Sequence, residues 1–489
     1  MSQFRSFLVA QARAEGHAVR SAAIRHRALR PDAHLLLLWQ LGGEPFSVAA
    51  IRWLPFQAPE SRRTFITGDP RSRKEFLASL SEFAKAFNAW FLREPSQLIV
   101  PNQPTVALLE RLSQRLRALP EGAATAEVRE PLLVLGRILH FITTEAHRPG
   151  QGLLVVLTDL VGSHWATELS DIEASNLACL DAAIEPGRDS IANAVLASEQ
   201  IALGPSPSRT EDEPVIQLLA ELARHRREGN SAGIDICMRG LQEHYVRLFE
   251  PVESLCIRCF RRERSFKAAM HVGERWKSDE VPLWADDGPA RRTSSSKYYD
   301  GAAPDLIARR VAQWERAEQR VAAAEMTEDW MRRAQQVLEG RAITGRVVSC
   351  STQRPFVLKI ETDTLPYLPE GESRFVCSRM SPLELTVLST NGKTLSFTAS
   401  RYATLAMSEL FRQNYPVGAT IVLTEFNGRP RDFGRGAQRD LPWTHSNLPI
   451  PVGQAPEPLP IDRMDDPEVD PTDDSVTDET TSDTGEDAK

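Results

Sequence analysis

Apolar residues in the first part of the chain fall into short continuous runs. Leu35 to Leu41 and Phe46 to Trp53 are such runs, and Gly42-Gly43-Glu44-Pro45 between them reads as the turn of a β-hairpin. The period then changes. Phe76, Leu77, Leu80, Phe83, Phe87, Trp90 and Phe91 recur every three or four residues behind Asp69-Pro70, a capping residue followed by a first-turn proline. That spacing predicts a long helix whose broad aromatic face lies on the sheet. Gln97 to Val100 reads as a further strand, and Pro104 opens a helix with Val106, Leu108, Leu109, Leu112 and Leu116 on its inner side. Residues 130–146 are helical by period. Leu153 to Leu157 fits a strand or the start of a buried helix, which periodicity does not separate over so short a run. Ser170 and Asp171 cap a helix predicted to reach Ile184.

Gly204-Pro205-Ser206-Pro207-Ser208 reads as a linker, over 201–212, before Thr210 and Glu213 in capping-box spacing. Residues 213–340 are predicted to form an all-helical segment, with a loop at 285–303. From Ile343 the pattern alternates. Runs at 343–349, 356–362, 374–379, 383–389, 394–400 and 419–425, with Asn391-Gly392 as a hairpin turn, predict a small antiparallel β-barrel over 341–427. Beyond Phe426 the chain turns Arg/Gly-rich, then Pro-rich, then acidic. Residues 454–489 contain no aromatic residue, so 428–489 is predicted to be disordered. The expected fold class is multi-domain α+β: an N-terminal α/β domain over 1–200, the helical middle, the barrel and an acidic tail.

A chain of 489 residues, 42% hydrophobic and 25% charged, is too long for one core and has ample apolar material for several. No run approaches the ~20 apolar residues that span a bilayer, so no membrane segment is expected. Arg5, Arg13, Arg20, Arg25 and Arg27 against Glu15 give a basic N-terminus that suits a transit peptide or an amphipathic surface helix. The six cysteines are scattered and no secretory signal precedes them, which predicts reduced thiols and a cytoplasmic location. The net charge of −8 is dominated by residues 454–489, where thirteen acids oppose Arg463 and Lys489; the remainder is near +3. Such a body permits polyanion binding without demanding it.

Candidate chemistry is sparse. Cys256 and Cys259 form a single C-x-x-C with no second pair to complete a zinc site, and buried cysteine is the plainer reading. No G-x-S-x-G elbow, complete phosphate-binding loop or G-x-G-x-x-G turn occurs. No catalytic residue, metal site or cofactor is assigned. Arg258, Arg261, Arg262, Arg264, Lys267, Arg275 and Lys277, interleaved with Phe260, Phe266 and Trp276, offer clustered cations for phosphates and aromatic faces for bases. Arg429, Arg431, Arg435 and Arg439 with Gly434 and Gly436 form a second, arm-like basic stretch. Asp159, His164, Glu168, Asp171 and Glu173 make the densest polar cluster, a mixture of carboxylates and histidine that both metal binding and acid–base work require.

Two stretches resemble known families. The succession of hairpin strands, long amphipathic helix, Gln97 to Val100 strand and second helix over 34–116 resembles the central part of RNase H-like exonucleases of the DEDD group. Those enzymes hold two metal ions on acidic residues that begin with Asp-x-Glu on the first strand; here only Asp32 precedes Leu35, and Pro101-Asn102-Gln103 stands where a further acid is expected. The resemblance therefore implies a non-catalytic relative. Residues 341–426, with Gly345-Arg346-Val347, Leu368-Pro369-Glu370-Gly371 and Pro416-Val417-Gly418-Ala419, are similar to the small β-barrel of superfamily 1 helicases, where it touches nucleic acid or a partner. The expected function is that of a non-enzymatic accessory protein that binds nucleic acid, or a helicase or nuclease working on it. Two other readings stay open: an interaction scaffold with no nucleic-acid role, and a divergent metal-dependent nuclease centred on Asp159 to Glu173.

Overall fold

The structure, a computed structural model, describes residues 3–42, 48–67, 72–92, 97–146, 152–185, 190–270 and 272, then 321–322, 325–326, 328–351, 356–362, 368, 370–371, 373–376, 384–399 and 405–425. The chain divides into Met1–Arg439 and Asp440–Lys489, and all the described residues lie in the first unit. The class is mixed α+β, and no helix among the described residues is long and apolar enough to cross a membrane.

Helix α1 (Gln3–Glu15) and the short strand β1 (Val19–Arg20), which pairs antiparallel with β7 (Trp165–Ala166), precede a five-stranded sheet. Its strands are β2 (His34–Gln40), β3 (Val48–Pro55), β4 (Arg63–Ile66), β5 (Leu98–Val100) and β6 (Leu154–Val156). They lie in the order β4-β3-β2-β5-β6, with β2, β3 and β4 antiparallel and β5 and β6 running parallel to β2. Six of the seven residues of β2 are buried, because helices cover both faces and each needs apolar side chains. Alternate residues serve opposite cores. Leu36, Leu38, Ile51 and Trp53 pack against α2 (Arg73–Phe91), α3 (Gln103–Arg117) and α4 (Ala126–Ala146). Leu35, Leu37, Trp39 and Leu54 face the other way, toward α5 (Leu157–His164) and the helices that follow. The apolar run at 153–157 thus resolves into β6 and the first residue of α5. The predicted helix from Ser170 to Ile184 is two helices, α6 (Asp171–Ala174) and α7 (Leu177–Ile184), because Asn176 caps a new start by accepting from Ala178 N at 2.8 Å.

After α8 (Ile191–Ser198), the helices α9 (Arg209–Arg227) and α10 (Ser231–Ser265) correct the expected separation of a helical middle domain. Val215, Leu222, Leu241, Tyr245, Phe249 and Cys256 share one core with Leu35, Leu37 and Trp39. These helices are the second covering layer of the sheet, not a domain with its own core. A buried ion pair ties them down: Arg52 of β3 donates to Glu253 of α10 at 2.8 Å, and Arg62 donates to the same carboxylate at 2.9 Å. The expected linker is likewise fastened. Gln40 N donates to Pro205 O at 2.8 Å, and Asn102 Nδ2 donates to Gly204 O at 2.9 Å. Gly204 has φ +68°, and a Cβ there would lie 2.9 Å from Leu38 O and 3.0 Å from the Trp39 ring, so glycine is required at this crossing. Helix α9 starts two residues before the expected capping box, with Ser208 N donating to Glu211 at 2.6 Å.

Helix α11 (Trp330–Leu338) is capped by Asp329, which is fully buried. Its carboxylate accepts from Met331 N at 2.9 Å, from Ala23 N at 3.1 Å and from His26 Nε2 at 3.1 Å, joining α11 to the segment ahead of the sheet. Burial opposes ionisation of this carboxyl, yet the His26 and amide hydrogen bonds hold it below the usual carboxylate range.

The last strands are β8 (Ala342–Cys350), β9 (Val357–Thr362), β10 (Ser373–Val376), β11 (Glu384–Asn391), β12 (Thr394–Ala399) and β13 (Thr420–Thr424), and they fall close to the alternating runs. They pair antiparallel in a closed ring, β10-β11-β12-β9-β8-β13, around Leu358, Ile360, Leu385, Phe397 and Leu423. Gly392, at φ +57°, turns the β11–β12 hairpin. A helix that the strand pattern does not announce, α12 (Leu405–Asn414), sets Phe411 edge-on to Phe356 at 5.7 Å. The predicted loop 285–303 and the Arg/Gly arm and acidic tail, 428–489, lie outside the described residues.

Candidate functional site

The final turns of α10 carry the first basic stretch, and its residues divide into two groups. Arg258 donates to Asp181 Oδ2 from Nε at 2.8 Å and from Nη2 at 2.6 Å, and Arg262 donates to Asp181 Oδ1 at 2.6 Å. Arg262 also reaches Glu263 at 3.2 Å and is only 11% exposed. Both guanidinium groups are paired with carboxylates and hold α7 to α10, Arg262 from a largely buried position and Arg258 with about half its side chain exposed, so neither is a free cation as the basic run suggested. The interleaved aromatics are also turned inward. Phe260 stacks on Phe56 at 3.9 Å, and Phe266 is buried beneath Arg20, whose guanidinium lies 4.0 Å above its ring. Neither ring is free to stack a base.

Arg261, Arg264 and Lys267 are exposed and have no carboxylate partner among the described residues. The chain ahead of the sheet brings further cations beside them. Arg25 N donates to Lys267 O and Ala269 N donates to Arg25 O, both at 2.9 Å. Burial and the nearby charge of Arg264 push the Arg25 guanidinium down from its ordinary value. The N-terminal arginines were visible in the sequence as a basic run, but nothing in their spacing pointed to α10. Arg275, Lys277 and Trp276, and the arm residues Arg429, Arg431, Arg435 and Arg439, lie outside the described residues.

The polar cluster from Asp159 to Glu173 does not converge. His164 Nδ1 and Glu263 Oε2 are 2.6 Å apart in the interior, Glu263 being fully buried and also accepting from Trp165 Nε1 at 3.1 Å. Glu173 is taken up in the Ser170 capping box, which lowers its carboxyl below the ordinary range. Glu168 lies 3.9 Å from Arg13. Asp159 alone of the five joins Gln103, which donates to its Oδ2 at 2.5 Å. Among the described residues no three His, Cys, Asp or Glu side chains are grouped to hold a metal ion. Cys256 and Cys259 are buried, and burial, with nearby acids, pushes both thiols far up.

Asp159 opens onto a cleft of about 550 Å³ where the parallel strands β5 and β6 end. Its walls come from the first turn of α3, from α5, from Trp165 and Thr167, and from α6. Sequence reasoning missed Gln103, Trp165 and Thr167: Gln103 follows β5, and it meets the other two only because β5 and β6 lie side by side. Compared with protein-family models, curated proteins and solved structures, the chain matches none.

Proposed function

We propose that this protein is a non-enzymatic accessory factor that binds nucleic acid, or a helicase-type partner engaged on it, with the phosphate backbone meeting the end of α10. The carrying observation is the exposed trio Arg261, Arg264 and Lys267, which has no carboxylate partner among the described residues. Cations without carboxylates release counterions when they meet phosphates, whereas Arg258 and Arg262 have already spent their charge on Asp181. The order of strands and helices over 34–116 supports the likeness to RNase H-like exonucleases. That β2 offers no acidic residue and Asn102 follows β5 supports a relative without their two-metal chemistry. The ring of strands β8 to β13 supports the likeness to a helicase-type barrel, a module suited to partner contact.

The test is binding of a labelled single-stranded oligonucleotide, followed by anisotropy from about 50 to about 200 mM salt. Affinity is expected to fall steeply with salt. Replacing Arg261, Arg264 and Lys267 together by Gln should reduce the log–log slope by about 2, at roughly 0.7 per phosphate contact on a single strand. No binding at low salt, or an unchanged slope in the triple variant, refutes the proposal.

A further inference from the structure

The cleft at the ends of β5 and β6 plays no part in the reading above. Two parallel strands stop side by side there, and each passes into a helix, through Asn102 into α3 and through Val156 into α5. Most of the local polar groups are satisfied by the protein itself. Thr158 Oγ1 donates to Pro101 O at 2.6 Å, Ser163 Oγ to Leu160 O at 2.7 Å and Ser175 Oγ to Ile172 O at 2.6 Å. Two groups differ. Thr167 lines the cleft, is only 8% exposed, and its hydroxyl has no partner among the described residues. Asp159 uses Oδ2 to accept from Gln103 and keeps Oδ1 without a donor among the described residues, so its carboxylate is held in place with one oxygen open.

Trp165 adds a flat wall. Its N–H is fixed by Glu263, and its ring stands edge-to-face on Phe266 at 5.9 Å and 78°. The plane is therefore set before anything binds. Gly162 brings no side chain to the lining, and a Cβ built there meets nothing within 4 Å, so a larger residue would enter open space. The charged side chains on the lining are Asp159, Asp171 and Arg5, a balance that disfavours an added phosphate. The space lies within the range that holds small organic ligands, and the Thr167 hydroxyl is available to one that enters.

We infer that this cleft binds a neutral nucleoside, with sugar hydroxyls on Asp159 and Thr167 and the base against Trp165. The inference is independent of the polyanion surface on α10, and the two are tested with different variants. Calorimetric titration of the full chain with adenosine and uridine is expected to show binding. The matching 5′-monophosphates should bind at least threefold more weakly, and ribose alone should give no measurable heat. Gly162→Leu fills the space and Asp159→Asn removes the open anionic acceptor. Each is expected to weaken nucleoside binding at least about tenfold, the equivalent of one charge-assisted hydrogen bond, with the thermal melt of Asp159→Asn unchanged. No heat with either nucleoside overturns the inference, as does undiminished binding in both variants. Ribose binding as well as the nucleosides, or monophosphates binding more tightly, also overturns it.

Discussion

Removing the Asp329 carboxylate should uncouple α11 from the body. Asp329→Ala leaves the Met331 amide without its cap and the Ala23 amide and His26 Nε2 without an acceptor, in a site of zero exposure. Loss of a cap costs about 1 kcal/mol, and a buried donor left unpaired costs about 1–3 kcal/mol. A water entering the vacated space would recover part of that, so the expected loss is about 3 kcal/mol. Asp329→Asn keeps the shape and one acceptor oxygen but turns an amide donor toward donors, and should lie between the two. Urea unfolding followed by tryptophan fluorescence gives the loss, and hydrogen exchange at Ala23 and Met331 shows whether it is local. Because hydrogen bonds depress this carboxyl, its contribution is present above the unfolded carboxylate value, near 3.9, and is lost as pH falls through the lower folded value. A loss below about 1 kcal/mol with unchanged protection of both amides would sink the reasoning, since it would mean the three contacts are exchanged for water at no cost.

Two further expectations concern buried titratable groups. His34 lies between Trp53 at 5.2 Å and Trp90 at 4.2 Å, and burial lowers it to about 4. The unfolded chain therefore binds its proton first, and stability should fall as pH drops from about 6.5 toward 4; Tm measured against pH should lose part of that slope in His34→Gln, and equal slopes would count against the burial argument. The thiols of Cys256 and Cys259, raised by burial, should resist a thiol reagent at pH 8 in the native protein and react once it is unfolded; native labelling at either position, read by peptide mass, would contradict the packing.

Much of the sheet was legible because β2 and β3 are nearly continuous apolar runs buried on both faces. The alternation of β9 and β12 was legible for the opposite reason, one face inward and one outward. The role of α9 and α10 was not. Gly204 to Ser208 has the composition of a linker, but composition does not reveal that Gly204 is pressed against Trp39 or that Pro205 accepts from Gln40. The basic stretch failed in a related way. Arg258 and Arg262 look identical in sequence to Arg261 and Arg264, and only the fold reveals Asp181, 77 residues before Arg258, as the carboxylate that the first two share. The cleft was legible only in part: Asp159 and Asp171 stood in the polar cluster, but Gln103 follows β5 and meets them only because β5 and β6 lie parallel.

The two-layered covering of the sheet also sets an order of events during synthesis. β6 ends at Val156, but the residues that close over Leu35, Leu37 and Trp39 run on to Phe260 near the end of α10. At roughly 5–20 residues per second the ribosome takes on the order of ten seconds to deliver them. For that interval the nascent chain carries a finished half-core with nothing to roof it, and it falls to chaperones or to slow pairing of the strands to keep that face from meeting another copy.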